Sequence, residues 1–334
     1  MPASSTDNGQ KRVGVFGAKH TTRDLIAGLH RLRHRVDHCV TISPEKAKDQ
    51  HVAGYLDLRP YLSEQRIACT VANRYSLKSD ADREMLTALG LDVVLVMGWQ
   101  RLLPDWLLAS LSVGAFGMHG SSKPLPHGRG RSPMNWSIIQ GKTKFYTHLF
   151  QYLPGVDDGP IVGVQTFDIY PWDDCHSLHL KNLVAMTHLC ARSLPAMLDG
   201  SLTTTPQPPG EPTYYPKRSA EDGLIYWEDA TDDIYNLIRA VTHPFPGAFT
   251  YIAGDPQRKL TIWRGQPFDS RLTWPGARPG EVLEVFYDGS FVVATGDGSL
   301  LVTQCDGEPS PPVQVGDRLD GLGEPRKQWL DLPR

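Results

Sequence analysis

At 334 residues the chain is long enough for two domains, each with its own core. A net charge of −3 leaves no positive excess to track a nucleic-acid backbone or an acidic membrane surface. Five cysteines, Cys39, Cys69, Cys175, Cys190 and Cys305, are odd in number, scattered and without a CxxC pair. They read as reduced thiols in a cytoplasmic protein, and neither as a disulfide frame nor as a zinc site. The opening residues have no apolar core of the signal-peptide kind, and no apolar run reaches membrane-spanning length.

Residues 1–10 read as a disordered leader. A first domain is expected over 11–200, a linker over 201–216 and a C-terminal domain over 217–334. The run 13–16 is a short apolar strand, followed by a glycine turn and an amphipathic helix. Leu25, Ile26, Leu29 and Leu32 share one face of that helix, with Thr21 or Thr22 as its cap. The GxGxxG fingerprint is absent, which argues against a nicotinamide site. Amides at the helix start could hold a phosphate or carboxylate, although capping alone is the commoner explanation. Strand-like runs recur at 38–42, 67–71 and 92–97 between helical or polar stretches, the signature of a doubly wound parallel sheet. The polar connection over 43–65 reads as cover for that sheet. After the strand at 92–97 comes Trp99-Gln100-Arg101-Leu102-Leu103-Pro104, apolar and rich in exposed backbone, ahead of a helix beginning at Pro104.

The central stretch begins with a buried strand over 115–118 that ends on His119, then a Gly/Pro/Arg-rich loop. A helix over 133–140, a strand over 145–150 and a tight acidic loop, Gly155-Val156-Asp157-Asp158-Gly159, complete it. An imidazole can stabilise an oxyanion or carry a proton, and a carboxylate can orient it. Taken alone, a histidine and a turn are more often plain structure. A strand over 161–167 leads to a long helix over 177–198, whose buried set is Leu178, Leu183, Met186, Leu189, Leu194 and Met197. Its His179 and His188 have no acidic or cysteine partner at metal-ligand spacing, so no metal is expected. The Thr/Pro-rich stretch 201–216 marks the linker. Beyond it, Ile234, Leu237, Ile238 and Val241 face inward from a short helix, and short strands with glycine turns suggest a small β-barrel.

In order and spacing, His119, Leu125-Pro126-x-x-Arg129-Gly130-x-x-Pro133 and Asp157-x-Gly159-x-Ile161 resemble the 10-formyltetrahydrofolate-dependent formyltransferases. Their pattern is Asn-x-His, Leu-Pro-x-x-Arg-Gly-x-x-Pro and Asp-x-Gly-x-Ile. The segment after the linker resembles the C-terminal domain of the two-domain members, the amino-sugar-nucleotide type above all. The resemblance runs from Val13 to about Val302. It implies an α/β fold with a Rossmann-like, mostly parallel sheet, followed by a small OB-like barrel. It implies catalytic roles for His119 and Asp157, and a folate-contacting role for Gln100, Arg101, Leu102, Leu103 and Asp157. Ser121, Lys123 and Arg129 are the expected acceptor contacts. The implied co-substrate is 10-formyltetrahydrofolate, without a metal. The implied acceptor is a small-molecule amine, first of all an amino sugar nucleotide. Another small amine such as an amino acid or antibiotic precursor, methionyl-tRNA, and a folate binder without catalysis are the alternatives. Neither nucleic acid nor membrane is the favoured partner, and a homodimer is possible. Two departures stand out. Gly117 falls where the family has asparagine, and the loop after His119 is two residues longer. Ser121, Ser122, Lys123 and Asn135 are the sequence candidates to replace the lost donor.

Overall fold

The computed structural model of the chain describes residues 10–306 and 313–323. The expected leader, except Gln10, lies outside that range, as does the end of the C-terminal domain. The elements run β1 (Val13–Phe16), α1 (His20–Arg31), β2 (His38–Thr41), α2 (Pro44–Asp49), α3 (Arg59–Glu64), β3 (Ala68–Val71), α4 (Asp80–Thr87), β4 (Val93–Val96) and α5 (Asp105–Ser110). Then come β5 (Gly114–Ser121), β6 (Arg129–Gly130), α6 (Pro133–Ile139), β7 (Lys144–Gln151), β8 (Ile161–Asp168), α7 (Cys175–Asp199) and β9 (Tyr214–Tyr215). The last are α8 (Thr231–Val241), β10 (Ala248–Ile252), β11 (Lys259–Pro267), β12 (Val282–Val285), β13 (Phe291–Ala294), β14 (Ser299–Cys305) and β15 (Leu319–Asp320). Contacts divide the chain into two units that interleave along the sequence. The first takes residues up to Gly120, then Tyr146–Phe167 and Lys181–Pro212; the second takes Ser121–Phe145, Asp168–Leu180 and the chain from Thr213 onward.

The first unit is built on a seven-stranded sheet in the order β3-β2-β1-β4-β5-β7-β8. Its strands β1 and β4 are unbroken apolar runs, buried at every position, as strands covered on both faces must be. Strands β1 to β5 pair in parallel, with Val13 opposite Val93 and Val96 opposite Gly117. Alternate residues feed two cores. Val13, Val15, Val93 and Leu95 meet Leu25 and Leu29 of α1 and Met186 and Leu189 of α7 on one face. Phe16, Val94 and Val96 meet Leu86 and Leu107 on the other. The strand order reverses between β1 and β4, the kind of switch point that opens a crevice at the carboxyl ends of the strands. Two details of α1 differ from expectation. Its N-cap is Lys19, while Thr22, in the first turn, accepts from the Lys19 amide at 3.3 Å and donates to the Met97 carbonyl at 2.6 Å. Leu32 lies just past the last turn and is exposed, because the chain turns left-handed at Arg33 (φ 66°).

In the second unit the antiparallel sheet runs β12-β13-β14-β11-β10-β15. Its two outer strands meet. Glu281 and Arg318 form a bridge, the Val282 amide donates to Asp317 at 2.9 Å, and the Gly316 amide donates to Val282 at 2.8 Å. The sheet therefore closes into the small barrel that the strand spacing suggested. Helix α8 buries Ile234, Leu237, Ile238 and Val241. It also receives α6, whose Asn135 Nδ2 donates to the Ala240 carbonyl at 2.7 Å. Arg129 and Gly130 of β6 pair in parallel with Tyr214 and Tyr215 of β9. The stretch 201–216 is thus tied to its surroundings, Thr205 within the first unit to Ile161 and β9 within the second to β6.

Candidate active site

Strand β5 does not stop at His119 but carries it, nearly buried, two residues short of its end. The imidazole Nδ1 lies 3.5 Å from Oδ2 of Asp157, whose side chain is 26% exposed, so the carboxylate is open to solvent while the ring keeps only a small exposed part. Asp157 itself is left-handed, with φ 53°. A short polar side chain tolerates that region better than most, and such a conformation costs about 1–3 kcal/mol unless its surroundings impose it. Here they do. Gln207 Nε2 donates to the carbonyls of Asp157 at 2.7 Å and Gly159 at 2.9 Å. A Cβ on Gly159 would run into the Gln151 carbonyl, so only glycine lets the loop return this close to β7.

Behind the pair stands His148, 1% exposed, whose Nδ1 lies 3.3 Å from the His119 carbonyl and donates to it. Burial pulls its pKa down to about 4, against the opposing pull of that hydrogen bond, so the ring is neutral near pH 7. Thr147 donates to Asn182 Oδ1 at 2.6 Å, and Asn182 Nδ2 donates to the Met118 sulfur at 3.3 Å, tying β7 through Asn182 to the residue before His119. The end of the Tyr152 ring lies over Gly117, where a Cβ would collide with its hydroxyl and edge carbons.

The folate-loop candidates follow β4, the strand next to β5, so they lie beyond the carboxyl end of one strand while His119 sits near the carboxyl end of its neighbour. Gln100 is anchored by its amide, which donates to the Tyr75 hydroxyl at 2.8 Å, and Arg101 lies over the Tyr75 ring at 5.0 Å. Leu103 is buried and Leu102 is 63% exposed, so one leucine anchors the loop and the other is presented. Among the described residues the backbone groups of Leu102 and Leu103 take no protein partner. Unspent amides and carbonyls beside a presented apolar side chain suit a flat, amide-like ring such as a pterin.

The three expected acceptor contacts belong to the second unit. Ser121 is fully buried against Gly128, and its hydroxyl accepts from the Lys123 amide at 3.2 Å. Lys123 is half-buried, and Arg129 is 8% exposed with Nη1 at 3.5 Å from the Tyr214 hydroxyl. Asn135 is committed to α8, as described above. Arg218 is held by the Asp222 carbonyl at 2.8 Å and the Trp136 ring at 5.2 Å, and burial pulls its pKa down to about 10. At the start of α1 the amides of Gly17, Ala18 and Lys19 are spent on Val40, Gly98 and Thr22, so these three are not open to an anion. Sequence reasoning missed Tyr152, His148 and Gln207, none of which stands in a motif. Among the described residues no cluster of His, Cys, Asp or Glu could hold a metal, and no helix is long and apolar enough to cross a membrane.

Comparison with known proteins now decides the family. Residues 11–188 match the formyl transferase family and residues 217–322 the formyl transferase C-terminal domain. The chain belongs to the formyl transferase family. Among solved structures it is similar to HypX from Aquifex aeolicus in complex with tetrahydrofolic acid, with TM-score 0.61 and 17% identity over 89% of this chain and 44% of that one. The chain thus spans less than half the length of HypX. It is also similar to an N-formyltransferase from Helicobacter canadensis in complex with folinic acid and dTDP-3-aminofucose. There the TM-score is 0.62 and the identity 14%, over 89% of this chain and 100% of that one. A sugar N-formyltransferase from a Shewanella species gives TM-score 0.57 and 16% identity over 79% and 99%. At these identities the likeness establishes a shared fold.

Proposed function

We propose that the chain transfers the formyl group of 10-formyltetrahydrofolate to a primary amine of a small molecule, foremost an amino sugar nucleotide. The observation that carries this reading is the His119–Asp157 pair, with its carboxylate held left-handed beyond the carboxyl ends of the strands. The adjacent Gln100–Leu103 loop is the proposed folate contact, and Ser121, Lys123 and Arg129 are proposed to shape the acceptor side. The sugar-nucleotide complex of the Helicobacter relative supports the acceptor class.

When bound, the donor supplies an activated formyl group on N10. The protein's part follows from its residues. Asp157 engages His119 Nδ1 and fixes the ring; in its imidazolium form the ring donates from Nε2 to the formyl oxygen as charge gathers there. The amine nitrogen forms the new C–N bond and sheds a proton to Asp157, and the proton goes to N10 as the old C–N bond breaks. Atoms and charges balance without a metal.

The test is thermal and kinetic. Saturating 5-formyltetrahydrofolate, a stable mimic of the donor, is expected to raise the melting temperature, worth about 2.7 kcal/mol at a hundredfold excess over Kd. Release of tetrahydrofolate with dTDP- and UDP-linked amino sugars is expected to follow, and His119→Asn to abolish most of it while the thermal shift survives. Absence of the shift would sink the folate reading. A shift without turnover on any amine would favour a folate-binding protein, the reading that the loss of asparagine at Gly117 keeps in play.

A further inference from the structure

The loss of asparagine at 117 does not leave a hole. A Cβ built there would collide with the hydroxyl, Cε1 and Cζ of Tyr152, so the tip of that ring occupies the ground from which the family's amide would grow. The tyrosine comes from the neighbouring strand. It directly follows β7, its amide donates to the Ala115 carbonyl of β5 at 2.8 Å, and its ring packs on Phe150 with centroids 5.3 Å apart. Residues two apart on a strand share a face, so a group seated on Gly117 is the lateral neighbour of His119. Among the described residues the Tyr152 hydroxyl makes no hydrogen bond, although the ring is only half-exposed. A hydroxyl without a protein partner, seated on the same face of β5 as His119, is a donor available to a substrate, which phenylalanine could not supply.

We propose that Tyr152 takes over the role of the missing asparagine, its phenol donating a hydrogen bond to the formyl oxygen from a seat on Gly117 beside His119. The proposal rests on the formyl-transfer reading above. Burial, reinforced by the Asp157 carboxylate, raises the phenol's pKa, so the group keeps its proton and acts as donor throughout the working range. No proton changes hands at Tyr152. The glycine and the tyrosine are one device, because any side chain at 117 would evict the ring. The Gly117→Asn change alone is therefore not a restoration of the family's site but a collision.

The experiment compares variants on the full chain. Tyr152→Phe keeps the ring and removes one oxygen. It is expected to lower kcat about a hundredfold, the usual loss for one oxyanion donor, while KM and the thermal shift with 5-formyltetrahydrofolate stay near parental values. Tyr152→Ala should lose activity similarly, and Gly117→Asn combined with Tyr152→Ala should recover part of it by reinstating the amide. Near-parental kcat in Tyr152→Phe, with His119→Asn inactive, would overturn the proposal and leave the formyl-transfer reading standing. A parent chain without turnover on any amine would remove both. Failure of the double variant to exceed Tyr152→Ala would also count against the proposal, since it predicts that the two donors are interchangeable.

Discussion

His148 stands in no motif, yet the fold sets its titration. An ordinary imidazole takes its proton near 6.5, whereas His148 waits until about 4 because burial opposes its charge. Between those values the unfolded chain binds the proton and the folded chain does not, so stability falls as pH drops from 6.5 towards 4 and levels off below. The loss approaches on the order of 3 kcal/mol. His148→Gln keeps a donor for the His119 carbonyl and cannot titrate. Its melting temperature is expected to decline less between pH 7 and pH 4.5 than that of the parent; equal declines would show that His148 does not set the acid limb. At this scale the sequence is legible where chemistry is written as a local pattern, as in His119 and Asp157. It is silent where a residue matters through a partner far along the chain. Tyr152 reads as an unremarked aromatic until β7 lies beside β5, and Gly117 reads only as a loss.

A loop can be read as a turn from its glycines, but what holds it cannot. The Asp-x-Gly segment keeps its left-handed aspartate because Gln207, 50 residues away from Asp157, grips two of its carbonyls. Gln207→Ala is expected to cost about 1–3 kcal/mol of local order in that loop and to lower kcat more than it lowers overall stability. Amide exchange across 155–159 and steady-state kinetics check this together; unchanged exchange there would remove Gln207 from the account. Elements with strong periodicity are read well from sequence. Strands β1, β4 and β7, the span of α7 and the closing of the barrel all follow the apolar pattern. The cap of α1 is misread because threonine is a good cap by type, and only the contact with Met97 assigns Thr22 to the first turn.

For the whole molecule, charge supplies a test between the proposed classes of acceptor. With 34 basic and 37 acidic side chains, the chain has no surplus to displace counterions from a folded RNA. Sugar-nucleotide binding is expected to weaken only slightly with salt, and initiator methionyl-tRNA to give no complex in a low-salt gel shift. A tight complex dissolved by salt would reverse the choice of acceptor. The interleaving of the two units has a consequence in time. The first unit gains its late partners, Thr205 and Gln207, before residue 213 is made. The segment 121–145, with its Leu-Pro-x-x-Arg-Gly signature, belongs to the other unit, and the Gly128 amide waits for the hydroxyl of Thr213, 85 residues later. On the ribosome, where domains generally fold in order of emergence, the family's signature loop is therefore made early and seated late. A chain released at residue 212 would carry the loop without the strand that pairs with it.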